Sequence, residues 1–218
     1  MAIVSGEADE VGAAAAMRLA ADGMDVALLG PEPGTSTELA RLVAERGRRS
    51  VAIEADLTDA ASAEAALADV RATLGDPSVL LHVVSLAARC PLRGLADSEW
   101  RAMTSDPLRG VFLTSRAVLE PMLQNGSGHI ITVASVTGLE PGRSHENLTV
   151  RAALGGFMMT IAMELRSFGV TANLIVPASA TAGLSANPGY AAQAAAALPF
   201  LIGGAASAMS GQVICLGE

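Results

Sequence analysis

Ala2-Ile3-Val4-Ser5-Gly6-Glu7-Ala8-Asp9-Glu10-Val11-Gly12 decides the fold of this chain. A short apolar run enters a tight glycine turn, and the turn feeds an amphipathic helix expected over Val11–Asp22. A glycine-rich turn at a helix N-terminus is the usual seat of a dinucleotide pyrophosphate, because free amides and the helix dipole face the anion. Gly6 and Gly12 suit the tight turn and close helix–strand packing. The middle glycine position, however, holds Glu10, with Glu7 and Asp9 beside it. A side chain there obstructs backbone approach, and carboxylates themselves stabilise a helix start by about 0.3–1 kcal/mol. The turn is therefore expected to carry its own anions, and an acidic helix start and a dinucleotide seat both remain open. Leu29-Gly30-Pro31, with Glu32 beyond, specifies neither NAD nor NADP at the end of the second strand.

Outward from this turn, apolar strands alternate with amphipathic helices. Strands are expected at Ala2–Ser5, Asp25–Leu29, Ser50–Glu54, Val79–Val84, His129–Ala134, Thr171–Val176 and Gln212–Leu216. Helices are expected at Val11–Asp22, Ser36–Arg46, Ala60–Leu74, Ser98–Gln124, Asn147–Phe168 and Tyr190–Gly203. Ser36 and Thr58 or Asp59 serve as starts, and Gly23, Gly75 and Gly169 as stops. Continuous apolarity in Val79–Val84 and Ile130–Val133 suits strands covered on both faces. The series predicts an α/β chain, a Rossmann-like doubly wound parallel sheet of about seven strands flanked by helices on both faces. Residues 1–218 read as one domain.

Composition narrows the function classes. Half of the residues are apolar, yet only six are aromatic, so the core is built from Ala, Val, Leu, Ile and Met. Net charge of −8 argues against a nucleic-acid or anionic-membrane surface. No apolar run reaches the roughly 18 residues of a membrane span, Glu164 and Arg166 breaking the candidate around Phe157–Met163. No N-terminal signal is expected, because Ala2 starts a strand at once. Cys90 and Cys215 lack metal-ligand spacing and read as free thiols of a cytoplasmic chain, with no metal site. All fourteen basic side chains are arginine, lysine is absent, and Tyr190 is the one tyrosine. Arginine cannot replace lysine as a proton carrier, since its guanidinium stays charged at any working pH.

The order of the pieces resembles the short-chain dehydrogenase/reductase family across nearly the whole chain. Ser5-Gly6 with Glu10-Val11-Gly12 matches its first glycine motif, and Ala55-Asp56-Leu57-Thr58 the turn whose aspartate contacts adenine. Asp97-Ser98-Glu99-Trp100 and Leu108-Arg109-Gly110-Val111-Phe112 match its fourth helix. Thr132-Val133-Ala134-Ser135 matches the strand carrying the catalytic serine, and Ala152-Ala153-Leu154-Gly155-Gly156-Phe157 the fifth helix. Val170-Thr171-Ala172-Asn173, Val176-Pro177 and Gly211-Gln212-Val213 follow in register. Carried over residue by residue, the resemblance implies cofactor positions at Gly6, Glu10, Gly12, Asp56, Ser85 and Pro177.

The same carry-over leaves the chemistry incomplete. The family's Tyr-xxx-Lys pair falls on Asn147 and Arg151, and its helix-four asparagine on Pro107; Ser135 and the supporting Asn173 remain. A lid of family length is replaced by a short stretch over about 178–190. The expectation is a non-catalytic or regulatory subunit that pairs with an active family member through the helices at 98–124 and 147–168, as homo- or hetero-oligomer. No cofactor is expected, NAD(P) being disfavoured by Glu10 and the missing lysine. Two enzymatic readings stand beside it. One is a redox-neutral cyclase, dehydratase or isomerase using Ser135 and Arg151 with His145 or His82, and the other an atypical NAD(P)-dependent oxidoreductase.

Overall fold

The computed structural model describes residues 1–88, 92–135, 145–146, 148–177 and 189–217. Seven strands form one parallel sheet: β1 (Ala2–Gly6), β2 (Val26–Gly30), β3 (Ser50–Glu54), β4 (Val79–Ser85), β6 (Gly128–Ser135), β8 (Val170–Pro177) and β9 (Val213–Leu216). The spatial order is β3-β2-β1-β4-β6-β8-β9, every pairing parallel. The order reverses between β1 and β4, and a crevice outside the carboxyl ends of the strands opens where a doubly wound sheet does this. A two-residue antiparallel ladder, β5 (Ala87–Ala88) with β7 (His145–Glu146), lies outside that sheet.

The helices divide between the two faces as the strand period dictates. α1 (Glu10–Ala21), α2 (Pro33–Glu45) and α6 (Tyr190–Leu201) pack on Val4, Leu28, Leu81, Val83, Ile131 and Val133. α3 (Ala60–Leu74), α4 (Asp97–Asn125) and α5 (Leu148–Leu165) cover Ile3, Leu29, Leu80, Val84, Ile130 and Ala134. Successive side chains of one strand thus enter opposite cores, which is why the strands read as continuous apolar runs.

Local chemistry sets most element ends. Asp59 caps α3 by accepting from the Ser62 amide at 2.8 Å, and the Glu99 carboxylate accepts from Ala96 N at 2.8 Å before α4. Ser36 proves to be a buried residue inside α2 rather than its start. That helix opens at Pro33, where a missing N–H leaves no helical bond unmade. α4 continues through both Pro107 and Pro121.

α5 and its 3-10 extension, Leu148–Phe168, are long and apolar enough to cross a membrane by length and composition, contrary to the sequence expectation. Val150, Leu154, Met158, Ala162 and Leu165 are nonetheless buried, and their spacing of three and four is that of a helix covering a sheet. The lid stretch 178–188, Cys90 and Asn147 lie outside the described residues.

Candidate functional site

Gly6 ends β1 with φ +101°, and a Cβ there would stand 2.1 Å from the Val83 carbonyl oxygen. A Cβ on Gly12 would meet the Glu7 carbonyl oxygen at 2.5 Å. Only glycine allows the chain to turn this closely against β4 and re-enter as a helix. Both positions therefore do the steric work assigned to them from the sequence.

The anion at the helix start is Asp9. It is the N-cap of α1, in extended conformation, and its Oδ1 accepts from Val11 N at 2.9 Å and Gly12 N at 3.0 Å. Glu10 is the exposed first helical residue, and its side chain does not cap those amides. Asp9 Oδ2 accepts a hydrogen bond from Ser135 Oγ, joining the first turn to the end of β6 across the cleft. The strand period explains the meeting: Ser135 follows Ile131 and Val133 onto the α1 face, whereas Ala134 faces α4 and α5. The Asp in an N-cap position ahead of Val11-Gly12 was a legible helix-start signal. Its partner 126 residues away was not.

Around this contact the other expected residues take separate places. Ser85 pairs in register with Ser135, and Leu86 N donates to the Ser135 carbonyl at 2.7 Å. Arg151, in the first turn of α5, donates to the Pro177 carbonyl at 3.2 Å and contacts Cys215 Sγ at 3.7 Å, so it bears on the ends of β8 and β9. Asn173 braces the approach to β9, donating to Met209 O at 2.9 Å and accepting from Gln212 N at 3.1 Å. Tyr190, the single phenol, is buried at the start of α6 and donates to the Ala134 carbonyl at 2.8 Å. The backbone of His145 and Glu146 belongs to the β5–β7 ladder.

His82 points to the opposite face. Its ring, 3 % exposed, lies among Ser5 Oγ at 2.8 Å, Thr114 Oγ1 at 3.3 Å and Ser115 Oγ at 3.0 Å. Ser5 donates to Leu81 O and Thr114 to Gly110 O, so both hydroxyls are left to accept from Nδ1–H. Nε2 then accepts from Ser115, which assigns the tautomer from the network. Burial alone drives the imidazole down to about 3, so it is neutral. The hydroxyls that satisfy it come from β1 and α4 and carried no signal in the sequence.

Between the ends of β1, β3 and β4 and the middle of α4 lies a cavity of about 380 Å³. Asp56 lines it while its Oδ1 accepts from Thr58 N at 2.8 Å and Thr58 Oγ1 at 2.7 Å, bonds that hold the carboxyl below its usual range. Glu7 lines it as well, and its carboxyl is pushed up by desolvation and by the charges of Asp9 and Glu32. Among the described residues no group of three His, Cys, Asp or Glu side chains could hold a metal ion.

The family model for short chain dehydrogenase matches residues 1–189. The short-chain dehydrogenase/reductase family member NovK of Streptomyces niveus is 35 % identical over 185 residues, 84 % of this chain and 76 % of that protein. The 3-oxoacyl-(acyl-carrier-protein) reductase FabG of Escherichia coli K12 is 31 % identical over 179 residues, covering 81 % and 72 %. A solved short-chain type dehydrogenase/reductase from Mycobacterium marinum superposes with a TM-score of 0.85 over 99 % of this chain and 92 % of its own, at 21 % identity, a likeness of fold.

Proposed function

Because this chain belongs to the short-chain dehydrogenase family, we propose that it is a member without hydride-transfer activity of its own, acting as a subunit beside an active family member. One observation carries the reading: the Asp9 carboxylate caps the α1 amides and at the same time accepts from Ser135. A dinucleotide pyrophosphate would have to displace that carboxylate from the amides, next to Glu7 and Glu10. Like charges roughly 4 Å apart repel by about 4 kcal/mol at an effective dielectric of 20, which opposes that exchange. This opposition at the helix start supports the proposed reading without a bound dinucleotide.

The missing proton-transfer pair supports the same reading, since a chain without lysine holds no Tyr-xxx-Lys in any register. Tyr190 offers no substitute, because its hydroxyl donates to a backbone carbonyl. Pairing is supported by the outer faces of α4 and α5, where Phe112, Met159 and Met163 stand 44 %, 53 % and 78 % exposed. Phe112 meets Phe157 edge-on at 6.4 Å, with the Arg116 guanidinium 5.4 Å from its ring. Apolar surface of this kind on two neighbouring helices favours a partner.

The atypical oxidoreductase is the second reading, favoured by a relative named as a reductase and by the cavity beside β1 and β4. Titration with NADH and NADPH, followed by nicotinamide fluorescence, separates the two. The proposal expects no saturation below millimolar cofactor and co-purification with a family member that contains Tyr-xxx-Lys. Micromolar binding by the isolated chain would establish the second reading instead. Cofactor-free turnover that is lost in Ser135→Ala would indicate redox-neutral chemistry at the Asp9–Ser135 pair.

A further inference from the structure

The last rung between β6 and β8 falls on a proline, and a side chain takes the place of its N–H. Along a strand, the N–H and C=O of one residue serve one neighbouring strand, and those of the next residue serve the other. Leu86 N, just beyond β4, donates to Ser135 O, so Ala134 turns its carbonyl toward β8. Leu174 N donates to Gln212 O on the β9 side, so residues 175 and 177 turn toward β6. The register of Val133 with Ile175 then sets Ala134 O opposite the amide position of residue 177. That residue is Pro177, which has no N–H to give. Tyr190 Oη stands 2.8 Å from Ala134 O and 3.5 Å from Ile175 O, and its single proton goes to the nearer.

The phenol is brought there by the first residue of α6. Its ring is buried in the same apolar cluster as Val133 and Ile175. Phenylalanine would fill that cluster as well, so packing alone does not account for the hydroxyl; the proline in the ladder does. From α5, Arg151 donates to the Pro177 carbonyl at 3.2 Å, so side chains of two helices complete the strand ends beside Ser135. We propose that Tyr190 is a positioning residue: standing in for the N–H of Pro177, it clips α6 to β6 and holds Ser135 against Asp9. The seating of α6 and the Asp9–Ser135 contact are thereby coupled through one hydrogen bond. The clip acts on the strand end that carries Ser135 and holds for either reading of the first turn.

Amide hydrogen exchange of the whole chain, resolved by NMR, tests the clip in Tyr190→Phe, which keeps the ring and removes the donor. Exchange at Ala134 and Leu86, relative to Ile131 in the middle of β6, should rise by roughly fivefold, the worth of one net hydrogen bond. Pro177→Ala returns an N–H to position 177, and in the Tyr190→Phe background it should bring both rates back toward the parent's. Packing lost from α6 would not be repaired by that second change. A rise confined to α6, no rise, or a rise that Pro177→Ala leaves in place would each overturn the proposal. Should Tyr190→Phe alone unfold, recovery of the folded state by Pro177→Ala is the expected result, and its failure the overturning one.

Discussion

Asp9 makes two contacts with one side chain. A carboxylate at an N-cap is ordinary helix chemistry, yet here the same group reaches the serine at the end of β6. Asp9→Ala should cost about 1 kcal/mol of stability from the lost cap, read by urea unfolding. Asp9→Asn keeps a capping oxygen and removes the charge, so its stability should stay near the parent's while NADH binds more tightly than to the parent. Unchanged NADH affinity in Asp9→Asn would remove electrostatic repulsion from the explanation. The sequence displayed three acids in this turn without ranking them. Ranking needed backbone geometry, because only Asp9 stands at the cap while Glu10 has already entered the helix.

β4 carries the buried His82 between β1 and α4, and the pH response of the sheet follows from it. Its folded value, about 3, lies below the ordinary 6.5, so the unfolded chain takes up the proton first as pH falls. The contribution of neutral His82 is complete above 6.5 and is lost as pH drops toward 3, with a limiting slope of about 1.4 kcal/mol per pH unit. His129, also lowered by burial, acts in the same direction. His82→Gln should flatten the fall in stability between pH 6.5 and 5, measured by urea unfolding at successive pH values. An undiminished slope would place the titration elsewhere. The strand itself was legible as an apolar run, and its histidine read as a hydrogen-bonded residue or a catalyst. The network favours the former, because Ser5, Thr114 and Ser115 come from two other elements.

For the whole molecule, α5 is the element with two apolar sides. One stripe, from Val150 to Leu165, enters the core, while Met159 and Met163 remain outside. A pair of substitutions, Met159→Glu with Met163→Glu, should leave the monomer folded and reduce the assembled mass in light scattering, since exposed charges cost little on a monomer but much in a buried interface. Unaltered mass would remove this face from the pairing. Net charge of −8 adds a general repulsion between copies, which the proposed apolar contact must outweigh.

The amino-acid order alone determined the parallel sheet, the positions of its strands and helices, and the absence of lysine from the chain. Those features are local or periodic: apolar runs, glycines at turns, and a residue type that is simply missing. Tertiary structure alone decided that Asp9 and Ser135 meet, that Tyr190 donates to Ala134, and that a cavity of about 380 Å³ lies between β1, β3, β4 and α4. Such contacts depend on strand register and on which face each side chain takes, and residues 126 positions apart in the chain carry no sequence signal of their pairing.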